Sequence, residues 1–104
     1  MPYTSVQAAV PETAYVELAA NVAAQEVVAA VTSKKVRVVF ADFDLDDGAE
    51  VSLLSAATQI SHTMTASRVW QGFGAGHIET AAGEALKALV TGGACRMLIR
   101  YVEV

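Results

Sequence analysis

Glycines and an Asp-Gly turn signal divide this chain into short segments, and this spacing limits its fold more than any other feature. Glycine marks turns because it adopts positive φ angles without steric cost. The segments between the turns have the length of β-strands, and several alternate between apolar and polar residues. Short strands at such spacing predict an all-β sandwich or barrel. The glycines are Gly48, Gly72, Gly74, Gly76, Gly83, Gly92 and Gly93.

Residues 36–45 (VRVVFADFDL) predict a half-buried strand. Their β-branched and aromatic side chains favour a strand, and in the second half apolar residues alternate with Asp42 and Asp44. Asp46-Asp47-Gly48 then predicts a hairpin turn. Residues 50–53 resume the alternation on the other side of that turn.

Two later segments alternate as well. Residues 58–65 predict a strand with Ile60, His62 and Met64 on its apolar face, and we expect His62 to be a hydrogen-bonded core histidine. Residues 94–104 predict a long final strand. One side of it carries Cys95, Met97, Ile99 and Tyr101, and the other carries Arg96, Leu98, Arg100 and Val102.

Residues 18–31 and 80–90 fit either a helix or a strand. The first segment is rich in Ala, Gln and Glu, which favour a helix, yet its valines suit a sheet. In the second, Gly83 weakens a helix by about 1 kcal/mol relative to Ala. The final residues of this second segment also alternate.

Composition limits the classes of protein. A chain of 104 residues is one domain, and an apolar content of 54% excludes a disordered chain. Because only 17% of the residues are charged, we expect partners to cover part of the apolar surface. The net charge of −4 provides no basic field for nucleic acid. We expect no transmembrane helix, since no apolar run is long enough.

The chain has one cysteine, Cys95, so it forms no internal disulfide and no Cys-rich zinc site. This fits synthesis in a reducing cytosol, and we expect Cys95 to be a small buried side chain. Residues 1–5 (MPYTS) lack the pattern of a signal peptide.

The segment from Asp42 to Gly48 is similar to a calcium loop, but its glycine comes one place late and Leu53 stands at position 12 instead of Glu. We interpret Asp42, Asp44 and Asp46 as a solvated strand face, with a cation site or a basic partner as the alternative. Like charges along one face repel, so we expect a counter-charge beside them.

Residues 71–77 (QGFGAGH) are rich in glycine but contain neither a Walker loop nor a dinucleotide fingerprint. We expect a flexible connection, and Trp70 just before it and Phe73 within it are candidates for insertion into a partner. His77, Glu79 and Glu84 form no recognisable catalytic or metal-ligating pattern. We therefore expect no enzyme activity, no metal and no cofactor.

On the final strand, Leu98 and Val102 alternate with Arg96 and Arg100 on the side predicted to face outward. Apolar residues flanked by arginines are typical of a protein–protein interface. The alternative is that both faces of this strand are buried because it lies centrally in a sandwich.

Three blocks of the chain resemble a family of small proteins encoded in the structural-gene regions of tailed bacteriophages and prophages. The blocks are Lys34-Lys35-Val36-Arg37-Val38, Glu79-Thr80-Ala81-Ala82-Gly83-Glu84-Ala85-Leu86 and Tyr101-Val102-Glu103-Val104. The resemblance covers residues 22–104 approximately. It implies a single-domain antiparallel β-sandwich of jelly-roll type, and therefore strands in both ambiguous segments.

With this resemblance, the sequence predicts a non-enzymatic virion protein, most specifically a capsid decoration (cement) protein. We expect an N-terminal arm over residues 1–13 and a sandwich domain over residues 14–104. The expected partners are its own copies, as a dimer or trimer, and the major capsid protein on the head exterior. We expect neither nucleic acid nor a membrane as a partner.

Two other functions stay open at this point. One is a neck, tail or fibre accessory module of the virion. The other is a carbohydrate-binding module, in which Trp70 together with Tyr3, Tyr15 or Phe73 stacks on a sugar ring.

Overall fold

The computed structural model describes residues 11–71 and 78–104, and within them it contains eight β-strands and no helix. None of the described segments is therefore a helix long and apolar enough to cross a membrane. The strands are β1 (Glu12–Leu18), β2 (Gln25–Val28), β3 (Val36–Leu45), β4 (Glu50–Ser55), β5 (Thr58–Gln59), β6 (Arg68–Gln71), β7 (Leu86–Thr91) and β8 (Cys95–Glu103).

The strands form two antiparallel sheets of four, with the orders β1-β8-β3-β6 and β2-β7-β4-β5. The last strand thus lies between the first and the third, and the seventh lies between the second and the fourth. This order is that of a jelly roll, in which the chain passes repeatedly from one sheet to the other. The prediction of a single-domain antiparallel β-sandwich is confirmed.

The core lies between the sheets and is built from the alternating residues of the long strands. Ala41 and Phe43 of β3 and Met97 and Ile99 of β8 are at most 1% exposed. Strand pairing sets Phe43 opposite Met97 and Ala41 opposite Ile99. The second sheet supplies the facing layer, whose fully buried members are Val51, Leu53, Leu86, Ala88 and Val90.

Both ambiguous segments contain a strand and no helix, and the rest of each is turn or irregular backbone. In residues 18–31, β2 occupies Gln25–Val28, and Asn21 adopts a φ of 58° in the preceding turn. In residues 80–90, β7 begins at Leu86 after a turn at Gly83, whose φ is 77°. The prediction of a strand over the end of that segment is confirmed, since pairing with both β2 and β4 outweighs local helix propensity.

The prediction of a strand over residues 58–65 is wrong beyond β5. Leu54 pairs with Gln59, and Val51 pairs with Met64. These two pairs are three residues apart on β4 but five residues apart on the opposite segment, so that segment contains a bulge of two extra residues. There the Ser61 hydroxyl takes the place of a backbone carbonyl and accepts a hydrogen bond of 2.8 Å from the N–H of Leu53.

This bulge also overturns the interpretation of His62 as a core histidine. Ile60 is half-buried and Met64 is buried, as predicted, but His62 between them is exposed. The strict alternation that would direct its side chain inward is interrupted by the two extra residues.

The first strand begins at Glu12, two residues before the predicted start of the sandwich domain at residue 14. Residues 1–10 of the predicted arm lie outside the described residues.

Candidate functional site

The side of the first sheet that faces away from the core carries most of the predicted contact residues. On it, strand register sets Tyr15, Leu98, Asp42 and Val69 side by side across the four strands, and we name these residues the Leu98 row. Tyr15 and Val69 are 59% and 58% exposed, the highest values among the large hydrophobic residues in the described part of the chain. Leu98 is half-buried. The row is an apolar strip interrupted by one carboxylate.

Arg96 binds two acidic residues, Asp44 and Asp46, that are among the predicted contact residues. Its Nε donates a hydrogen bond to Asp44 Oδ2 at 2.9 Å, and a terminal nitrogen donates to Asp46 Oδ1 at 2.9 Å. The hydrogen bond from Arg96 holds the pKa of Asp46 below its usual range. The hydrogen bonds to Asp44 and Asp46 raise the pKa of Arg96. The counter-charge expected beside the acidic strand is therefore Arg96.

Asp42 stands apart from this cluster, in the Leu98 row, where its neighbours in register are Leu98 and Val69. Within residues 11–71 and 78–104, no group of three or more His, Cys, Asp or Glu side chains is placed to hold a metal ion. In the acidic segment, Asp44 and Asp46 bind Arg96.

Arg100 lies on the opposite side of the Leu98 row from Arg96, in register with Phe40 and Thr13. It is exposed, and Phe40 is half-buried. Val102, the last predicted contact residue on this strand, is only 9% exposed and lies opposite Arg37. The outward side of β8 is thus accessible at Leu98 and Arg100 and buried at Val102.

Trp70 lies on the other side of the sheet. It is in register with Ala41, which is fully buried, and it packs against the core at the β6 edge. The structure therefore does not bring Trp70 together with Leu98 or the arginines. Phe73 and His77, predicted from the glycine-rich segment, lie outside the described residues.

Val69 and Phe40 are members of this surface that no sequence motif indicates, and Tyr15 is predicted from the sequence only as a sugar-stacking partner of Trp70. A signal for Val69 is present in the sequence, because a strand that directs Trp70 inward must direct Val69 outward. No comparable local signal distinguishes Tyr15, since the choice between helix and strand is open next to it.

The three blocks that carry the family resemblance meet at one end of the sandwich. The backbones of Lys35 and Val104 exchange hydrogen bonds of 2.8 and 3.0 Å. The backbone N–H of Thr80 donates to the Val36 carbonyl at 2.9 Å. These contacts tie the start of β3 to the C-terminus and to the segment before β7.

The carboxylates in these blocks take part in fold contacts. Glu79 lies 3.8 Å from the Lys35 ammonium and 3.5 Å from the Arg37 guanidinium. Glu84 accepts a hydrogen bond of 2.6 Å from the Ser55 hydroxyl. Glu79 and Glu84 therefore each bind residues of a neighbouring segment.

An open depression of about 300 Å³ lies near the start of β6 and is lined by Thr63, Thr65, Ala66, Ser67 and Arg68. The Ser67 hydroxyl already accepts a hydrogen bond of 2.9 Å from the backbone N–H of Leu45. The depression therefore offers fewer polar groups to a ligand than its composition suggests.

Comparisons of the chain with protein-family models, with curated proteins and with solved structures found no match. The feature of this chain that bears on its function is the outward face of the β1-β8-β3-β6 sheet. That face offers apolar side chains, one arginine already neutralised by two carboxylates and one exposed arginine, a combination suited to contact with protein.

Proposed function

We propose that this chain is a non-enzymatic structural protein of a tailed-phage virion, a capsid decoration protein that binds the outer surface of the head as a homo-oligomer. The observation that carries the proposal is the Leu98 row, with Tyr15 and Val69 both more than half exposed on one side of the sheet. Its partners are its own copies and the major capsid protein. It is made in the cytoplasm of the bacterial host and acts on the head exterior.

The chemistry of the outward face supports a protein partner. Aromatic and arginine side chains are enriched where proteins bind one another, and fully buried charges are depleted there. Tyr15 and Arg100 supply the favoured types, and Arg96 is already paired with two carboxylates of its own chain. A partner that covers this face removes apolar area from water without stranding an unpaired arginine at position 96.

The resemblance also supports a virion role. Its three blocks are joined by backbone hydrogen bonds and by ion pairs at one end of the sandwich, so the residues that resemble the phage family are in contact with one another in this fold. Jelly rolls form viral capsid domains as well as lectin domains, and fold alone does not choose between them.

The mechanism is stabilisation by mass action. A protein that binds only the assembled lattice shifts the equilibrium of the shell away from disassembly. At a free concentration one hundred times its dissociation constant, each occupied site contributes about 2.7 kcal/mol.

The test is binding of the purified chain to heads of the phage or prophage that encodes it, followed by imaging of the particles. We expect added density at the junctions between capsomers. Density only at the neck or tail would replace the head assignment with the accessory-module alternative, and absence from particles would overturn the virion role. Binding to a glycan array that is lost with Tyr15→Ala would support the carbohydrate alternative instead, since Trp70 is packed on the core.

A matched pair of variants tests the face itself. Val69→Asp places a charge in the Leu98 row, and we expect it to weaken binding to heads at least tenfold. Leu89→Asp places the same charge on β7 of the other sheet, at a leucine that is 39% exposed, and we expect binding to remain. Equal binding by both variants would show that the Leu98 row does not contact the head.

A further inference from the structure

The two sheets present four edge strands, and three of them are protected against pairing with another chain. β5 has two residues, and β6 has four and begins with Arg68. β2 has four residues, and its register shifts between Glu26 and Val28. Short edges, charged side chains and bulges are the features by which proteins prevent association through a sheet edge.

β1 is neither short nor bulged, and its charged residues, Glu12 and Glu17, are at or next to its two ends. It has seven residues, and all seven pair with β8 without a register shift. Its sequence, ETAYVEL, contains neither proline nor lysine. Among the described residues, no backbone hydrogen bond is made by the edge of β1 that faces away from β8. This edge is therefore a row of donors and acceptors suited to an added strand.

We propose that β1 pairs antiparallel with β1 of a second copy about a two-fold axis at Tyr15, which joins the two β1-β8-β3-β6 sheets into one sheet of eight strands. The inference deepens the proposed function, because it names the surface through which the homo-oligomer forms. It rests on the edge itself, and it is testable without phage particles.

The register follows from the side chains of β1. With Tyr15 opposite its own copy, all seven residues pair, and the pairs are Glu12 with Leu18, Thr13 with Glu17, and Ala14 with Val16. No glutamate then faces a glutamate, and the core-facing residues Ala14 and Val16 remain on the core side.

Other two-fold registers that keep the faces aligned are worse. An axis at Glu12 or Glu17 sets like charges directly opposite each other, which is unfavourable. An axis at Ala14 brings Pro11, which has no N–H, into the pairing. An axis at Val16 pairs fewer residues of the strand, because Leu18 is its last residue.

The joined sheet has a consequence for the outward face. The Leu98 rows of the two copies meet at Tyr15, so the apolar strip doubles in length and runs across the two-fold axis. The most exposed large side chain of β1 gains an aromatic partner, and Val69 at the far edge stays exposed for the head surface.

The first experiment combines solution mass with directed cross-linking. We expect sedimentation equilibrium to give a dimer. In Tyr15→Cys the two thiols face each other across the axis at a Cα separation of about 4.5–5.5 Å, which is within the range of disulfides. Mild oxidation should therefore yield a dimer on a non-reducing gel that dithiothreitol reverses.

The matched control is Val69→Cys, which places an equally exposed thiol on the same side of the sheet but at its other edge. It should remain a single chain on the same gel. The native Cys95 is fully buried and does not contribute. A monomer in solution, or cross-linking of Val69→Cys as strong as that of Tyr15→Cys, would overturn the proposal.

A charge exchange tests the register independently. Tyr15→Glu and Tyr15→Lys each set like charges across the axis, and we expect each to weaken the dimer at least tenfold while far-UV circular dichroism stays that of the parent chain. An equimolar mixture should restore dimers, because Glu then faces Lys. Dimers that persist in either variant alone would show that another surface is used.

Failure of this inference differs from failure of the proposed function. A monomeric chain that still binds heads would overturn the β1 dimer and keep the virion role. A cross-linked dimer that binds no particle would keep the β1 dimer and overturn the virion role.

Discussion

The hydroxyl of Thr80 accepts a hydrogen bond of 2.9 Å from the backbone N–H of Val36, 44 residues earlier in the chain. The N–H of Thr80 in turn donates to the Val36 carbonyl. Both residues are nearly inaccessible, at 2% and 1% exposure. One side chain thus completes the pairing at the start of β3, where the segment before β7 runs alongside it.

Thr80→Val should lower the free energy of unfolding by about 1–3 kcal/mol, because it keeps the shape of the side chain but leaves the buried Val36 N–H without an acceptor. Urea denaturation followed by tryptophan fluorescence measures this. Thr80→Ser keeps the acceptor and removes one methyl group, so it should cost about 0.8 kcal/mol. If Thr80→Val is as stable as the parent chain, the hydrogen bond contributes nothing to the fold.

Gly92→Ala should destabilise the chain more than Gly48→Ala. Both glycines have φ near 80°, so each substitution carries a strain of about 1–2 kcal/mol. At Gly92 a Cβ would also clash with the Gly48 carbonyl oxygen, whereas at Gly48 the nearest atom is 3.9 Å away. Thermal unfolding measures the midpoint of each variant. Equal midpoints would mean that the turns at Gly48 and Gly92 can move apart with no loss of stability.

Much of the fold follows from local patterns in the sequence. Alternation predicts β3 and β8 because each keeps one side in the core along most of its length. It fails over residues 58–65, where a side-chain hydroxyl of Ser61 takes the place of a backbone acceptor and two residues bulge out. A serine in an alternating segment gives no sign of that exchange.

The candidate site is predictable only in part, because it depends on which strands are neighbours. The contact of Arg96 with Asp46 joins residues 50 positions apart and requires the register of β3 on β8. Repulsion between the acidic residues predicts that a counter-charge exists but does not identify it. Trp70 shows the opposite error, since its position beside a glycine-rich segment favours exposure while its strand directs it to the core.

The thiol of Cys95 should be almost unreactive in the folded chain. Burial raises its pKa from 9.0 to about 11, so at pH 8 the folded chain contains about a hundredfold less thiolate than the unfolded chain. We expect Ellman's reagent to react at least a hundredfold faster in urea than in buffer. The control is Val69→Cys combined with Cys95→Ala, which should react rapidly when folded. Similar rates for the parent chain in urea and in buffer would contradict the burial of this thiol.

Arg96→Met should lower the unfolding midpoint at pH 7 by less than Thr80→Val does, since the ion pairs of Arg96 are solvent-exposed. The folded pKa of Asp46 lies below its unfolded value, so its contribution is complete above the unfolded pKa of about 3.9 and is lost as the pH falls through the folded pKa. The difference between the parent chain and Arg96→Met should therefore shrink below pH 4.

Arg100→Met is the matched control, because Arg100 is on the same strand and forms no ion pair within the described residues. Circular-dichroism melts from pH 2 to 7 measure both variants, and a difference for Arg96→Met that stays the same size from pH 7 to pH 2 would show that the carboxylate of Asp46 is not its source.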